Sequence, residues 1–262
     1  MKIRINDIEI NYEMSGKKGA PTVVLSHSLA ASMGMWDPQI ELLRASFNVL
    51  RYDMRGHGQS EASQGEYSLD LLASDVIGLM DALKLDQVHF VGLSIGGMIG
   101  QCLALNYAER LISLTLCDTA AVMPKEGHAL FEERMEKVRQ HGMAALGQET
   151  LTRWFTAPYL EKKPAIVDRI FNQILDTTAA GFIGCGRAIL NFDYSGQLAK
   201  IKLPTLIIVG ADDPGTPVAA AEAIHKQIAG SKLIILPSAA HLSNIEQADG
   251  FNKALMAFLK AR

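Results

Sequence analysis

The residues best suited to chemistry in this sequence surround a serine between two glycines. Gly92–Gly96 match the pattern G-x-S-x-G with Ser94 at the centre. The apolar run Val88–Val91 precedes the motif, and a helical pattern from Met98 to Tyr107 follows it. Such a strand–turn–helix arrangement lifts the serine hydroxyl clear of the backbone, and the flanking glycines allow close approach. The helix N-terminus points N–H groups at developing negative charge. We therefore predict that Ser94 is a nucleophile rather than part of an ordinary glycine turn.

A serine hydroxyl needs a general base, and the base needs an acid to orient it. When the serine follows a central strand in this way, the chain order is Ser, then Asp or Glu, then His. His241 follows a predicted final strand, in a loop before the last predicted helix. The other histidines after Ser94 lie in a helical insertion or within a predicted helix. We predict that His241 is the base.

Three aspartates are candidates for the acid. Asp212 and Asp213 follow the predicted strand Thr205–Val209, whereas Asp118 follows the predicted strand Leu111–Cys117. We favour Asp213, and we expect Asp212 to cap a turn or to hydrogen bond locally. Asp118 remains an alternative, because some proteins with this kind of serine carry the acid one strand earlier.

The tetrahedral intermediate of acyl transfer needs two N–H donors aimed at its oxygen. One donor is expected from the residue after the nucleophile, Ile95. We assign the other to the backbone of Leu29, in the loop after the third predicted strand. His27 in the same loop is expected to brace it, and His57 is expected to lie in a glycine-rich loop near the site rather than to act in catalysis.

The elements that must position these residues alternate between short strands and helices, which predicts an α/β fold with a mostly parallel, eight-stranded sheet and helices on both faces. An initial hairpin up to about Met14 adds antiparallel strands. The other predicted strands are 22–26, 47–52, 87–91, 111–117, 205–209 and 232–236. Besides the helix after Ser94, helical patterns cover 69–83, 218–228 and 245–259.

From about Val122 to Gln197 the alternation stops, and no convincing strand is found. This stretch predicts amphipathic helices at Leu130–Gln140, Met143–Phe155, Lys163–Leu175 and Thr178–Leu190. We therefore expect a core made of residues 1–121 and 198–262, with a helical cap (lid) at 122–197. The cap is expected to cover the carboxyl edge of the sheet, where ligands bind in such folds. The alternative is that the insertion only packs on the outside of the core and forms no lid.

Composition excludes several other classes of protein. The chain has 262 residues, of which 48% are hydrophobic and 20% charged, with a net charge of −3. No basic patch suggests nucleic acid, and no apolar stretch or leader suggests a membrane or secretion, so we expect a cytoplasmic protein. The three cysteines form no metal-binding spacing. The predicted serine chemistry needs no metal and no organic cofactor, and we expect a small-molecule ester or lactone as its partner; nothing in the sequence specifies an oligomeric state.

The chain resembles the α/β-hydrolase superfamily over nearly its whole length, and within it the 3-oxoadipate enol-lactonases of aromatic catabolism and related carboxylesterases. The stretches that carry this resemblance are His27–Leu29, Met35–Asp37, Leu50–Asp53, Arg55–Gly58, Gly92–Gly97, Gly142–Leu146, Arg153–Thr156 and His241–Glu246. The stretches in the insertion are the more specific ones, because lids diverge fastest between activities.

The resemblance implies a substrate with a free carboxylate, which requires a paired cation. An arginine is expected near position 190, where this chain has Leu190. Arg187, one helical turn away, is the predicted replacement. Trp154 is predicted to form a wall of the acyl pocket, with packing inside the lid as the alternative. Arg134, Arg139 and Arg153 could also supply the charge, but we expect them to be solvated on their amphipathic helices.

Several alternative functions stay open on the same fold. A general carboxylesterase for small neutral esters is the first. A C–C bond hydrolase uses the same triad, and perhydrolase or haloperoxidase activity is possible as a side reaction. A haloalkane dehalogenase is excluded, because it needs Asp at position 94. A ligand-binding receptor that keeps the hydrolase fold is the alternative from another class.

Overall fold

The computed structural model describes residues 1–162 and 164–262, and its strands within these ranges form one eight-stranded sheet. The strands are β1 (Lys2–Ile5), β2 (Ile8–Gly16), β3 (Thr22–Ser26), β4 (Asn48–Tyr52), β5 (Val88–Leu93), β6 (Leu111–Cys117), β7 (Thr205–Gly210) and β8 (Lys232–Leu236). Their order across the sheet is β1-β2-β4-β3-β5-β6-β7-β8. The first hairpin pairs antiparallel and the strands from β3 to β8 pair parallel, which confirms the predicted sheet.

The centre of the sheet is buried because helices cover both of its faces. Every residue of the central strands β3, β5 and β7 is buried, as expected of parallel strands packed on two sides. The helices are α1 (Asp37–Arg44), α2 (Leu69–Ala82), α3 (Ile95–Asn106), α4 (His128–His141), α5 (Gly147–Trp154), α6 (Ala157–Glu161), α7 (Ala165–Asp176), α8 (Ala179–Asn191), α9 (Val218–Gln227), α10 (Ser243–Glu246) and α11 (Ala248–Leu259). Helices α1 and α11 pack together, and so do α2 and α3.

Several helices differ from the sequence prediction. Helix α3 begins at Ile95, three residues earlier than predicted, directly after the candidate nucleophile. The predicted helix 143–155 is a 3-10 turn at Met143–Ala145 followed by α5. The predicted helix 245–259 is broken at Gln247, whose backbone is not helical. Helices α1 and α6 were not predicted. The predicted helix 163–175 corresponds to α7, and its first residue, Lys163, lies outside the described residues.

Helices α4 to α8 occupy the stretch between β6 and β7, and we refer to residues 122–197 as the cap segment. The two ends of this segment meet, because Val122 and Asp193 form an isolated antiparallel bridge. The N–H of Tyr194 also donates to the carbonyl of Ala121 at 2.8 Å. The segment therefore leaves and re-enters the sheet region at one point, as expected of an insertion.

The cap segment rests directly on the loop that contains Gly56. A Cβ atom on Gly181, in the first turn of α8, would lie 2.3 Å from the carbonyl oxygen of Gly56. The side chain of Thr178 donates to the same oxygen at 2.9 Å, and so does its backbone N–H at 3.0 Å. Backbone-to-backbone contact of this kind fixes the start of α8 against the core.

None of the helices formed by the described residues is long and apolar enough to cross a membrane.

Candidate active site

Ser94 lies at the junction of β5 and α3 in a backbone conformation that is unusual for a residue with a side chain. Its φ is +58° and its ψ is −119°. Three hydrogen bonds hold it there: its N–H donates to Cys117, and its carbonyl accepts from the Met98 N–H and the Thr119 hydroxyl. Strain that is held in this way by its surroundings is common at functional sites. The turn presents the Ser94 side chain at the carboxyl edge of the sheet.

The two glycines of the motif are required by close backbone contacts. A Cβ on Gly92 would lie 2.1 Å from the carbonyl oxygen of Gly96, and a Cβ on Gly96 would lie 2.3 Å from that of Ser26. Both distances are far below a van der Waals contact. The G-x-S-x-G pattern is therefore dictated by the sharpness of the turn and its fit against β3.

His241 and Asp213 are hydrogen-bonded to each other beside this turn. The Nδ1 atom of His241 lies 2.8 Å from Oδ2 of Asp213, and both residues are buried. Oδ1 of Asp213 accepts from the N–H groups of Gly215 and Thr216, at 2.8 and 3.1 Å. The Thr216 hydroxyl donates to Oδ2 at 2.6 Å. Burial raises the pKa of Asp213, but His241 and these hydrogen bonds outweigh it and hold the pKa below its usual value.

The structure separates the three candidate acids. Asp212 is exposed beside an outer groove, and its N–H donates to the carbonyl of Ala239. Asp118 is buried at the end of β6, where it accepts from the Gly210 N–H at 2.8 Å and from the Ser243 hydroxyl at 2.5 Å. Burial, followed by the neighbouring charge of Asp213, raises the pKa of Asp118 well above its usual value. Of the three, Asp213 is the one hydrogen-bonded to His241 in the structure.

The two N–H groups predicted to bind an oxyanion are available for a ligand. Ile95 is the first residue of α3, and Leu29 lies in the loop after β3 beside Ala30, whose φ is +63°. Within the part of the chain that the structure describes, neither N–H donates to another protein group. Leu29 lines the same cavity as Ser94.

His27 and His57 lie together below the loop that carries Leu29. His27 Nδ1 is 2.7 Å from the carbonyl of Ser28, and its Nε2 accepts from the Met54 N–H at 2.9 Å. Burial lowers the pKa of His27, and it lowers that of His57 to about 3, with the nearby His27 adding to the shift. Both rings are therefore neutral at ordinary pH, and the hydrogen bonds of His27 brace the loop.

Ser94 and His241 line one cavity of about 110 Å³ beneath the cap segment. A space of this size holds on the order of ten non-hydrogen atoms, at roughly 10–15 Å³ for each water-sized position. Trp154 forms part of its wall, as do apolar side chains of α4 and α8, Phe131 and Phe182. The cavity suits one small organic molecule.

The structure places the predicted substrate-binding cation, Arg187, outside this cavity. Its guanidinium is paired with Glu132 and with Glu66, whose carboxylate is 3.5 Å from Nε. The physical reason is the helical phase of α8, which turns position 187 toward the neighbouring surface helix while Ile189 lines the cavity. The prediction for Arg187 is therefore corrected.

Arg134 and Arg153, expected to be solvated, both line the cavity instead. Arg134 is 6% exposed. Burial, helped by the nearby charge of Arg153, lowers the pKa of Arg134 to about 10, so the guanidinium stays charged at neutral pH. Arg139 has the expected exposed position, paired with Glu136 on the outer side of α4. The amphipathic pattern of α4 identified a polar stripe, but not which arginine lies under the cap.

Sequence reasoning also missed Thr216, whose hydroxyl and N–H both hold Asp213. A threonine three residues after an aspartate in a Gly- and Pro-containing loop is a signal for a local side-chain-to-backbone turn, and this signal could have found it. Among the described residues, no group of three or more His, Cys, Asp or Glu side chains is arranged to hold a metal ion.

Comparison with known proteins identifies the family of the chain. Residues 21–248 match the family described as the α/β hydrolase fold. The chain belongs to this family. A 3-oxoadipate enol-lactonase of Acinetobacter baylyi is 37% identical over 255 residues, which cover 97% of this chain and 94% of the relative. The family resemblance predicted from the motifs is therefore confirmed.

Solved structures of this family are closely similar. The enol-lactonase from Burkholderia xenovorans LB400 superposes with a TM-score of 0.96 at 39% identity, covering 99% of this chain and all (100%) of that one. A thermophilic esterase from Thermogutta terrifontis, solved with malate bound, superposes with a TM-score of 0.91 at 29% identity, covering 97% and 94% of the two chains.

Proposed function

We propose that this α/β hydrolase is a carboxylic ester hydrolase that cleaves a small lactone or ester bearing a carboxylate, most closely an enol-lactone of the 3-oxoadipate type. The observation that carries the proposal is that Ser94 and His241 share one cavity with two arginines, Arg134 and Arg153. The first pair supplies acyl-transfer chemistry, and the second supplies the charge that a carboxylate needs.

In the proposed reaction, His241 takes the proton from the Ser94 hydroxyl as its oxygen attacks the carbonyl carbon. The N–H groups of Leu29 and Ile95 stabilise the oxyanion, and Asp213 orients His241 and stabilises its charged form. The C–O bond of the ester breaks, His241 returns the proton to the leaving oxygen, and water then cleaves the acyl-enzyme. In a lactone the leaving oxygen stays attached to the acyl group, so the cavity holds the whole substrate through both steps.

The case for an anionic substrate rests on how poorly Arg134 is satisfied by protein groups. The carboxylate of Glu149 forms an ion pair with Arg134 at 3.3 Å from Nε, but this buried N–H has no hydrogen-bond acceptor among the described residues. Its contact with the Thr150 hydroxyl is long, at 3.4 Å. A buried cation with unused donors beside a second cation, Arg153, is stabilised by a carboxylate between them.

The relatives support the same substrate class. Enol-lactonases stand among the similar sequences and structures, and the esterase that superposes well was solved with malate, a dicarboxylate. The cavity of about 110 Å³ also matches a small lactone carrying one carboxylate better than a long-chain ester.

The test compares turnover of freshly generated 3-oxoadipate enol-lactone with turnover of p-nitrophenyl acetate. We expect Ser94→Ala to remove both activities. Arg134→Met and Arg153→Met should each lower kcat/KM for the enol-lactone about ten- to a hundredfold, the value of a lost charge-assisted hydrogen bond. The same variants should change kcat/KM for the neutral ester by less than about threefold.

Arg139→Met is the matched control, because it removes an arginine from the exposed side of the same helix, α4. It should leave both activities unchanged. If the wild-type protein turns over only the neutral ester, the chain is a general carboxylesterase and the proposed carboxylate recognition is wrong. Esterase activity that survives Ser94→Ala would overturn the assignment of the nucleophile.

A further inference from the structure

The backbone on both sides of His241 is tied to the cap segment. The N–H of Leu242 donates to the carbonyl of Trp154 at 3.1 Å. The N–H of Ala240 donates to Oε2 of Glu246 at 2.9 Å. His241 lies in the loop after β8, and these two hydrogen bonds hold the main chain on either side of it.

Glu246, at the end of α10, carries this connection back into the cap segment. Its carboxylate accepts from the N–H of Thr156, 3.1 Å from Oε1 and 3.3 Å from Oε2, and also from the Thr156 hydroxyl. Within residues 1–162 and 164–262, no lysine or arginine forms an ion pair with Glu246. The carboxylate therefore serves as a hydrogen-bond acceptor for two chain segments rather than as half of a surface ion pair.

We propose that Glu246 is a positioning residue that couples the seating of the cap segment to the placement of the catalytic base. The Asp213 carboxylate fixes the orientation of the His241 ring, but the distance of the ring from Ser94 depends on the backbone at 240–242. That backbone is held by cap residues 154–156, in part through Glu246. The base thus reaches its working position when the cap segment is in place. The inference rests on the proposed function, since it assigns the base to His241.

The chemistry gives a reason for such a coupling. Acyl transfer is sensitive to geometry, and a displacement of about 1 Å in a catalytic group can cost on the order of 10²-fold in rate. Trp154 is both a wall of the cavity and the acceptor for Leu242. A substrate that fills the cavity against Trp154 therefore presses on the same short segment that holds the base.

The test uses Glu246→Gln, Thr156→Val and the double variant, with p-nitrophenyl acetate as substrate. In Glu246→Gln, the new amide places an NH2 group against one of the N–H donors. In Thr156→Val, the hydroxyl donor is removed while the side chain keeps nearly the same shape. We expect kcat to fall about tenfold or more in Glu246→Gln and about threefold in Thr156→Val, with KM within about twofold of wild type. KM is preserved because neither residue lines the cavity and His241 serves both acylation and deacylation.

The double variant distinguishes coupling from two independent defects. If the Thr156 hydroxyl acts on the base through Glu246, the double variant has the kcat of Glu246→Gln alone, whereas independent effects would multiply. Glu161→Gln, an exposed carboxylate on α6, is the matched control and should behave as wild type. Titration of functional sites by stoichiometric acylation, at temperatures well below unfolding, normalises each kcat to folded protein.

The outcomes separate this inference from the proposed function. Absence of Ser94-dependent esterase activity in the wild type would refute the proposed function itself. An active wild type with a Glu246→Gln kcat within about twofold would overturn the positioning role and leave the hydrolase intact. So would multiplicative effects in the double variant, or a rise in KM at unchanged kcat.

Discussion

Replacing Asp213 and Asp118 by asparagine, one at a time, tests which buried carboxylate serves the base. In Asp213→Asn the amide has one favourable orientation. Two backbone donors, Gly215 and Thr216, require its oxygen at the Oδ1 position. The NH2 group then takes the Oδ2 position and faces Nδ1 of His241.

This reversal changes the tautomer of the base. Nδ1 of His241 must accept from the new amide, so the ring proton moves to Nε2, the atom that should take the proton of Ser94. In serine proteases the same change in the triad acid lowers kcat about 10⁴-fold. That factor corresponds to about 5 kcal/mol of transition-state stabilisation, and we expect a loss of this size for Asp213→Asn.

Asp118→Asn is expected to behave in the opposite way. Burial, and then the charge of Asp213, raises the pKa of Asp118, which favours the neutral form of its carboxyl. An asparagine side chain at position 118 can keep the hydrogen bonds of a neutral carboxyl. Its oxygen can accept from the Gly210 N–H, and its NH2 group can donate to the Ser243 hydroxyl. We expect kcat within about threefold of wild type.

The assay is steady-state hydrolysis of p-nitrophenyl acetate at pH 7, with functional sites counted by acylation. The reasoning is refuted if Asp213→Asn keeps more than about a tenth of wild-type kcat, or if Asp118→Asn loses as much as Asp213→Asn. A large loss of kcat in Asp118→Asn together with nearly wild-type kcat in Asp213→Asn would identify Asp118 as the acid.

The same pair of variants gives a test of stability against pH. A carboxyl whose pKa is higher in the folded than in the unfolded state binds more protons when folded, so its contribution favours folding at low pH and is lost as pH rises through the folded pKa. Asp118 is such a group. Urea unfolding at pH 5 and pH 8 should show Asp118→Asn gaining stability relative to wild type at the higher pH. An equal difference at both pH values would show that the Asp118 pKa is not raised.

Asp213 is the opposite case, because its pKa is lowered in the folded state. Its contribution to stability is present above the pKa of the unfolded state and is lost as pH falls through the pKa of the folded state.

Three further variants test the packing around the site. Arg187→Ala should leave KM for the enol-lactone unchanged and cost less than about 1 kcal/mol of stability, because its surface pair with Glu132 lies outside the cavity; a raised KM would restore Arg187 to the binding site. Gly92→Ala should destabilise the protein by about 3 kcal/mol, measured by denaturant unfolding, because its Cβ would overlap a backbone oxygen 2.1 Å away; near-wild-type stability would show that the turn can relax. Arg55→Met should cost about 3–5 kcal/mol by the same measurement, because it leaves Asp75 buried and unpaired; a neutral result would show that water reaches Asp75.

Much of the architecture could be read from local patterns. The strands were predicted within a residue or two, because buried parallel strands are short continuous apolar runs bounded by turn residues. Helix ends were predicted less well. The start of α3 at Ile95 was missed because glycines at 96 and 97 weaken the helical pattern, although the sharp turn at Ser94 requires the helix to begin at once. The break at Gln247 was missed because the apolar periodicity continues across it.

The sequence by itself determined the fold class and the family, and it predicted the chemistry: the G-x-S-x-G turn and the proposed order of serine, acid and histidine follow from residue types and spacing along the chain. The tertiary structure decided what depends on contacts between distant segments. It brought Asp213 rather than Asp118 to His241, turned Arg187 outward and Arg134 inward, and connected Glu246 to Thr156 across 90 positions. A periodic pattern shows that a helix has a buried face, but the partner of that face depends on how the cap helices pack over the sheet.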